Sequence, residues 1–213
     1  TIAGSGNFSG TATKAWSIAQ KDIADAIIVL GDSLVYNGNE QTQAITSVLV
    51  DSLTVTYTVS GNKQTNYSAS GYTLTIAGSG NFSGTATKAW SIMQKEVALA
   101  WDSLSSSDLI YSRQEKIVTA TATGVETGDN CLVTVVLTTG NDNINAGGFT
   151  YTATELSNSN YKLPDNVVSG SYTITPKEIT ITAENKSSTH KKPLLPLTYT
   201  ISPELFSGDS LSG

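Results

Sequence analysis

The sequence predicts an all-β fold of tandem immunoglobulin-like β-sandwich modules, and three observations carry that expectation. The stretch TIAGSGNFSGTATKAWSI fills residues 1–18 and returns unchanged at 75–92, 74 positions further on. Apolar and polar residues alternate with a period of two through most of the chain, the mark of strands with one buried face. Charged residues make up only 14% of the chain, so the long charged side chains that suit exposed helices are scarce. A long internal period has to be read as an array of units before any other fold is considered.

The repeat sets the boundaries. Both copies run on into a Gln-Lys-acid-aliphatic string: Gln20, Lys21, Asp22, Ile23, then Gln94, Lys95, Glu96, Val97. A diverged third copy keeps the spacing in Tyr172, Ile174, Lys177, Glu178 and Ile179. Read as an end-of-unit mark, this string divides the chain into four parts. Residues 1–20 are the closing strands of a truncated preceding unit, 21–94 and 95–176 are complete units, and 177–213 is the opening portion of another truncated unit. Units of this length bury a modest core. Residues 92–95 contain no Gly, Ser or Pro spacer, so a stiff junction is expected between units.

Taken in order, the first element is KDIADAIIVL, residues 21–30, with Ile23, Ala26, Ile27 and Leu30 at helical spacing. Its counterpart KEITITAEN alternates and sets β-branched residues side by side, so a first strand is expected in every unit. In LTVTYTV, residues 53–59, Leu53, Val55, Tyr57 and Val59 are expected on one face and the threonines on the other. Threonine suits the wet face because its branched Cβ favours the extended chain. Tyr72, Leu74 and Ile76 repeat the device, and Ala86, Trp90 and Ile92 are expected to point inward from a closing strand. Trp16 and Tyr172 hold the place of Trp90 in the other copies. The second unit offers strands at 131–137 and 149–153, and turn clusters fall at 60–66, 127–130 and 139–148.

Composition excludes several functions. Net charge is −6 and the basic residues are scattered, so no patch exists to neutralise phosphates and nucleic acid is not an expected partner. The longest apolar run, residues 26–30, is far short of the ~20 residues a spanning helix needs, so no membrane insertion is expected. Cys131 is the single cysteine, which rules out an intrachain disulfide and suits an exposed β-protein that does without them.

No catalytic, cofactor-binding or metal-ligating residues are expected. Gly31-Asp32-Ser33-Leu34 resembles the nucleophile block of GDSL esterases. The chemistry also needs a histidine to take the serine proton and oxyanion donors. His190 is the sole histidine and has Ser187, not Asp, three residues before it; Thr139-Gly140-Asn141-Asp142 only approximates the donor block. The next unit carries Asp108 in the place of Ser33. Esterase activity is therefore the remote alternative. Asp129-Asn130, Asn141-Asp142-Asn143 and Asp165-Asn166 are oxygen-rich but do not spell a spaced calcium loop, and calcium at turns or junctions stays open. A Lys–Asn isopeptide crosslink lacks its asparagine in TKAWSI.

Tyr36, Gly38 and Gln41, the Gly-Asn-Phe and Ser-Asn-Tyr lead-ins at 6–8, 80–82 and 159–161, and the closing Tyr-Thr-Ile-x-Pro-Lys at 172–177 together resemble MBG-type repeats. Leu197, Thr198, Tyr199 and Ser207-Gly208-Asp209 extend the likeness, while His190-Lys191 stands where that family has Tyr-Gly. The resemblance implies mostly-β, immunoglobulin-like modules, arranged in tandem in large bacterial surface proteins, extracellular and non-enzymatic. The expected function is then a structural stalk or spacer in an adhesin-like protein. The alternative is a module that binds a glycan or surface protein through loops or exposed aromatics such as Trp101. The end pieces are expected to fray or to pair head to tail with a neighbouring copy by strand addition.

Overall fold

A computed structural model describes residues 1–140 and 142–212, and every regular element among them is a strand. The chain divides into two compact units, Thr1–Lys95 and Glu96–Gly213.

In the first unit, Ile27–Leu30, Ile45–Val50 and Leu53–Thr54 form one antiparallel three-stranded sheet. Tyr57–Ser60, Tyr72–Gly78 and Thr85–Trp90 form another. Two short parallel pairings tie distant parts of the unit together: Lys21–Asp22 with Phe82–Ser83, and Leu34–Val35 with Ile92–Met93. The first is extended by the Lys21 N–H to Asn81 O at 2.9 Å and the Ile23 N–H to Ser83 O at 3.0 Å. Ile23, Val48, Leu74, Ile76 and Ile92 are buried beneath these sheets.

Most inward faces fall where alternation puts them. Leu74, Ile76, Ala86, Trp90 and Ile92 are buried, as are Phe149, Tyr151 and Ala153 in the second unit. Two expectations need correction. Residues 21–30 are extended but are two strands, Lys21–Asp22 and Ile27–Leu30, parted by a turn that the Ala26 N–H to Ile23 O bond closes. The Asp22 carboxylate accepts the Ala24 N–H in that turn, a local role suited to its short polar side chain. Residues 53–59 do not form one strand with one buried face. Leu53–Thr54 belongs to one sheet and Tyr57–Ser60 to the other, with Val55 buried at the crossing and Leu53 and Val59 exposed. The chain changes sheets within three residues, and a period-two pattern carries no record of that.

The identical segments adopt one hairpin in two settings. Ile2 pairs with Ala12 and Ala3 with Thr11; 74 positions on, Ile76 pairs with Ala86 and Ala77 with Thr85. Even the turn bonds match, Gly4 N–H to Gly10 O at 2.8 Å and Gly78 N–H to Gly84 O at 3.0 Å. The surroundings differ. Trp90 and Ile92 are 6% and 0% exposed, whereas Trp16 and Ile18 are 82% and 85% exposed. Trp90 further donates its Nε1–H to Gly61 O at 3.0 Å and tilts against Tyr72.

The second unit has matching long-range ties. The Val97 N–H reaches Lys162 O at 3.2 Å, and Ile110 bridges Thr175 in parallel. Ala98–Trp101 pairs with Ala120–Thr123, and Val133–Thr139, Gly147–Leu156 and Tyr172–Ile174 form its main sheet. Val118, Phe149, Tyr151 and Ile174 are its buried core, with Phe149 stacked on Tyr172 at 5.5 Å between centroids. A buried amide braces that core: the two Asn143 Nδ2 hydrogens are shared among Glu115 Oε1, Lys116 O and the Tyr151 hydroxyl oxygen, at 3.0, 3.1 and 2.7 Å from the nitrogen.

Trp90→Ala is expected to destabilise the first unit by about 3–5 kcal/mol, while Trp16→Ala, in the same local sequence, changes stability by less than about 0.5 kcal/mol. Urea unfolding of the two variants checks this. Asn143→Ala is expected to cost the second unit about 1–3 kcal/mol through acceptors left unpaired in its core, read the same way.

Candidate functional site

The residues of the Tyr-x-Gly-x-x-Gln string each have a mechanical task. Tyr36 is buried and its N–H donates to Met93 O at 2.9 Å. Gly38 takes φ +76°, and Gln41 Nε2 donates to Val35 O at 2.9 Å, closing the loop behind it. In the second unit the Tyr111 N–H donates to Thr175 O at 2.9 Å, the same kind of bond. Arg113, two residues on as Gly38 is from Tyr36, also takes a left-handed backbone, φ +58°. Lys191, in the third copy, has φ +65°. A side chain there carries a backbone cost of order 1 kcal/mol that glycine does not.

Arg113 uses that conformation to make a clasp. Its guanidinium donates to Ser207 O and lies 3.6 Å from the Asp209 carboxylate. The Tyr111 hydroxyl donates to both Asp209 oxygens at 3.1 and 3.0 Å. Phe206 meets the Tyr111 ring edge-on at 5.7 Å, and the Lys177 ammonium sits 4.4 Å over the other aromatic, Phe206. A cation over a ring is attracted by its quadrupole, so Lys177 and Tyr111 together hold Phe206. Burial first, and then the Asp209 carboxylate, push the Tyr111 hydroxyl above the ordinary tyrosine value. A raised tyrosine favours the neutral donor in the folded state, so the clasp's contribution is full below the ordinary value near 10 and is lost as pH rises from there through the raised value. Beside it runs an open groove of about 470 Å³ bordered by Asn145, Pro176 and Lys177.

Other residues marked by the sequence have local structural duties. Ser33 is exposed between Ile27–Leu30 and Leu34–Val35, in a unit that contains no histidine. Asp108, which holds its place in the second unit, accepts the Ser105 hydroxyl at 2.6 Å and the Ser105 N–H at 3.0 Å, and these bonds keep its carboxyl below the usual range. Asp142 accepts the Asn145 N–H at 2.6 Å, the Asn145 side-chain amide at 2.7 Å and the Ile144 N–H at 2.8 Å, which lowers its carboxyl likewise. Asn141 lies outside the described residues. Asp129 accepts the Tyr161 hydroxyl at 2.6 Å. Among the described residues no three His, Cys, Asp or Glu side chains converge as a metal site would require. Trp101, expected as an exposed aromatic, is half-buried against the core of the second unit.

In the amino-acid sequence Ser207-Gly208-Asp209 stands out only through the resemblance, and nothing there joins it to Tyr111. The two lie 98 positions apart in sequence, and nothing in the local pattern of either names the other. Compared with protein-family models, with curated proteins and with solved structures, the chain returns no match.

Tyr111→Phe is expected to keep the ring contact with Phe206 and lose the bonds to Asp209. At about 1 kcal/mol for such a bond, amide exchange in Tyr199–Ser202 quickens roughly fivefold. In the parent chain the same acceleration is expected as pH rises above the ordinary tyrosine value near 10 and on through the raised value of Tyr111, after correction for the intrinsic exchange rate.

Proposed function

We propose that the chain is a non-catalytic structural spacer, a run of immunoglobulin-like sandwich modules of the MBG type in a large, extracellular, adhesin-like bacterial surface protein. The observation that carries this reading is the clasp. The segment that follows Lys177 is bonded back, through Phe206 and Asp209, onto Tyr111 and Arg113 of the preceding module. A spacer works by limiting bend where one module gives way to the next. Side-chain bonds at that place serve this better than a flexible linker does.

Two further features support the proposal. The first module ends in the strand Ile92–Met93, and Gln94 alone separates it from the strand Lys95–Glu96. Each module is closed by backbone pairing between its opening residues and its last hairpin, at Lys21–Asp22 with Phe82–Ser83 and at Val97 with Lys162. Closure of that kind ties the two ends of a module together. Force applied along the chain then loads several hydrogen bonds at once.

Pulled from its two ends in a force spectrometer, the chain is expected to lengthen in two discrete steps of roughly 250 Å each, the extended length of about 75 residues. A single step, or lengthening with no steps, overturns the reading of separate mechanical modules.

A further inference from the structure

Asn37-Gly38 is the one place in the sequence where glycine follows asparagine. It stands in the loop of the first unit that is fixed by the Tyr36 N–H on Met93 O and by Gln41 Nε2 on Val35 O. Residues 37–39 are exposed. The other copies of that turn carry Ser112-Arg113 and His190-Lys191 at these places. Only the first therefore sets a side-chain amide beside a peptide nitrogen that no Cβ crowds.

The backbone itself poses that amide for attack. Asn37 Oδ1 accepts the Asn39 N–H at 3.0 Å, and Asn39 Nδ2 donates to Asn37 O at 3.0 Å. The first bond carries the Asn37 side chain forward along the chain, toward the Gly38 nitrogen that lies between. An N–H on Oδ1 also stabilises the negative charge this oxygen takes in a tetrahedral intermediate. Among the described residues nothing accepts the Gly38 N–H and nothing holds Asn37 Nδ2. Neither the nucleophile nor the leaving group has a protein bond to break.

Two other asparagines make the same forward bond and serve as internal comparisons. Asn158 Oδ1 accepts the Asn160 N–H at 3.0 Å, and Asn166 Oδ1 accepts the Val168 N–H at 3.3 Å. Ser159 and Val167 follow them, and each places a side chain beside the nitrogen that would attack. Asn158 Nδ2 also donates to Asn130 O at 3.3 Å, which tethers its leaving group. The forward bond is thus common to three turns, and the bare nitrogen belongs to one.

We propose that Asn37 is a site of self-modification by deamidation, in which the Gly38 nitrogen displaces the side-chain amide. Hydroxide takes the Gly38 proton, the nitrogen bonds to Asn37 Cγ, and Oδ1 becomes an oxyanion held by the Asn39 N–H. The Cγ–Nδ2 bond then breaks. Nδ2 takes a proton from water and leaves as ammonia, and a cyclic imide remains. Water opens the ring at either carbonyl. Opening at Cγ gives aspartate, and opening at the main-chain carbonyl gives isoaspartate, whose chain runs through Cβ and Cγ. The sum is asparagine and water going to an acid and ammonia, with no oxidant or reductant. Isoaspartate lengthens the main chain directly after Tyr36, next to the pairing of Leu34–Val35 with Ile92–Met93. The site is the same whether or not the chain serves as a spacer.

The whole chain is held in mildly alkaline buffer and sampled for peptide mapping by mass spectrometry that separates aspartate from isoaspartate. Both products are expected to accumulate at position 37, while Asn158 and Asn166 stay intact over the same interval. The rate is expected to rise about tenfold per pH unit, because only the deprotonated nitrogen attacks. Conversion in the native chain is expected to be at least as fast as in urea, since the Asn39 bond holds the amide in place beforehand. Gly38→Ser is expected to slow conversion by about tenfold or more. Serine is strained at the φ of +76° that Gly38 takes, so this pair is compared in urea as well, where the turn is gone and the slowing remains. Four outcomes overturn the proposal: slower conversion of Asn37 in the native chain than in urea, conversion of Asn158 as fast as that of Asn37, a rate unchanged by Gly38→Ser in urea, or aspartate formed with no isoaspartate.

Discussion

The structure depends on the parallel pairing of a unit's first residues with the turn of its last hairpin. In the first unit these are Lys21–Asp22 and Phe82–Ser83. The hairpin 75–92 is held along the edge of Tyr57–Ser60 and, past its end, by Ile92–Met93 on Leu34–Val35; the Lys21–Asp22 pairing fastens its turn as well. With it, the opening strand becomes a lid rail that seats Ile23 under the hairpin, and Ile92–Met93 is drawn alongside Leu34–Val35. The same sequence at 1–18 keeps its hairpin but covers nothing. Local pairing therefore makes the hairpin, and the distant pairing makes the core.

This division has an energetic reason. A tight hairpin pairs its backbone across a short loop, so its closure entropy is small and it forms with its register already set. Burial of Trp90 or Ile92 needs a body from the other end of the unit, and the entropy of closing that long loop is recovered only when several apolar side chains leave water together. The exposed ion pairs, such as Lys21 with Asp51 and Lys162 with Glu96, decorate this framework. Pairs open to solvent contribute little.

The left-handed turn at Gly38, Arg113 and Lys191 shows one backbone device filled in different ways. Glycine supplies the conformation without strain. Arginine at the second position accepts the strain and gains a guanidinium aimed at Ser207 and Asp209. A turn that only redirects the chain in one place thus carries a side chain that fastens a neighbouring segment in another.

Much of this was legible in the residues themselves. Two-residue alternation placed Leu74, Ile76, Phe149 and Tyr151 inside, and the all-strand character followed from composition and from comparing KDIADAIIVL with KEITITAEN. Extended conformation and, within a single strand, the alternation of faces are properties of neighbours along the chain, so the amino-acid order determines them. Tertiary structure alone decided three things: the change of sheet at Val55, the joining of Tyr111 to Asp209, and the contrast between Trp16 and Trp90. Each depends on which distant surface arrives, and two identical stretches of sequence cannot differ in what they specify locally. Their surroundings differ because Lys21–Asp22 and Leu34–Val35 pair with the copy at 75–92.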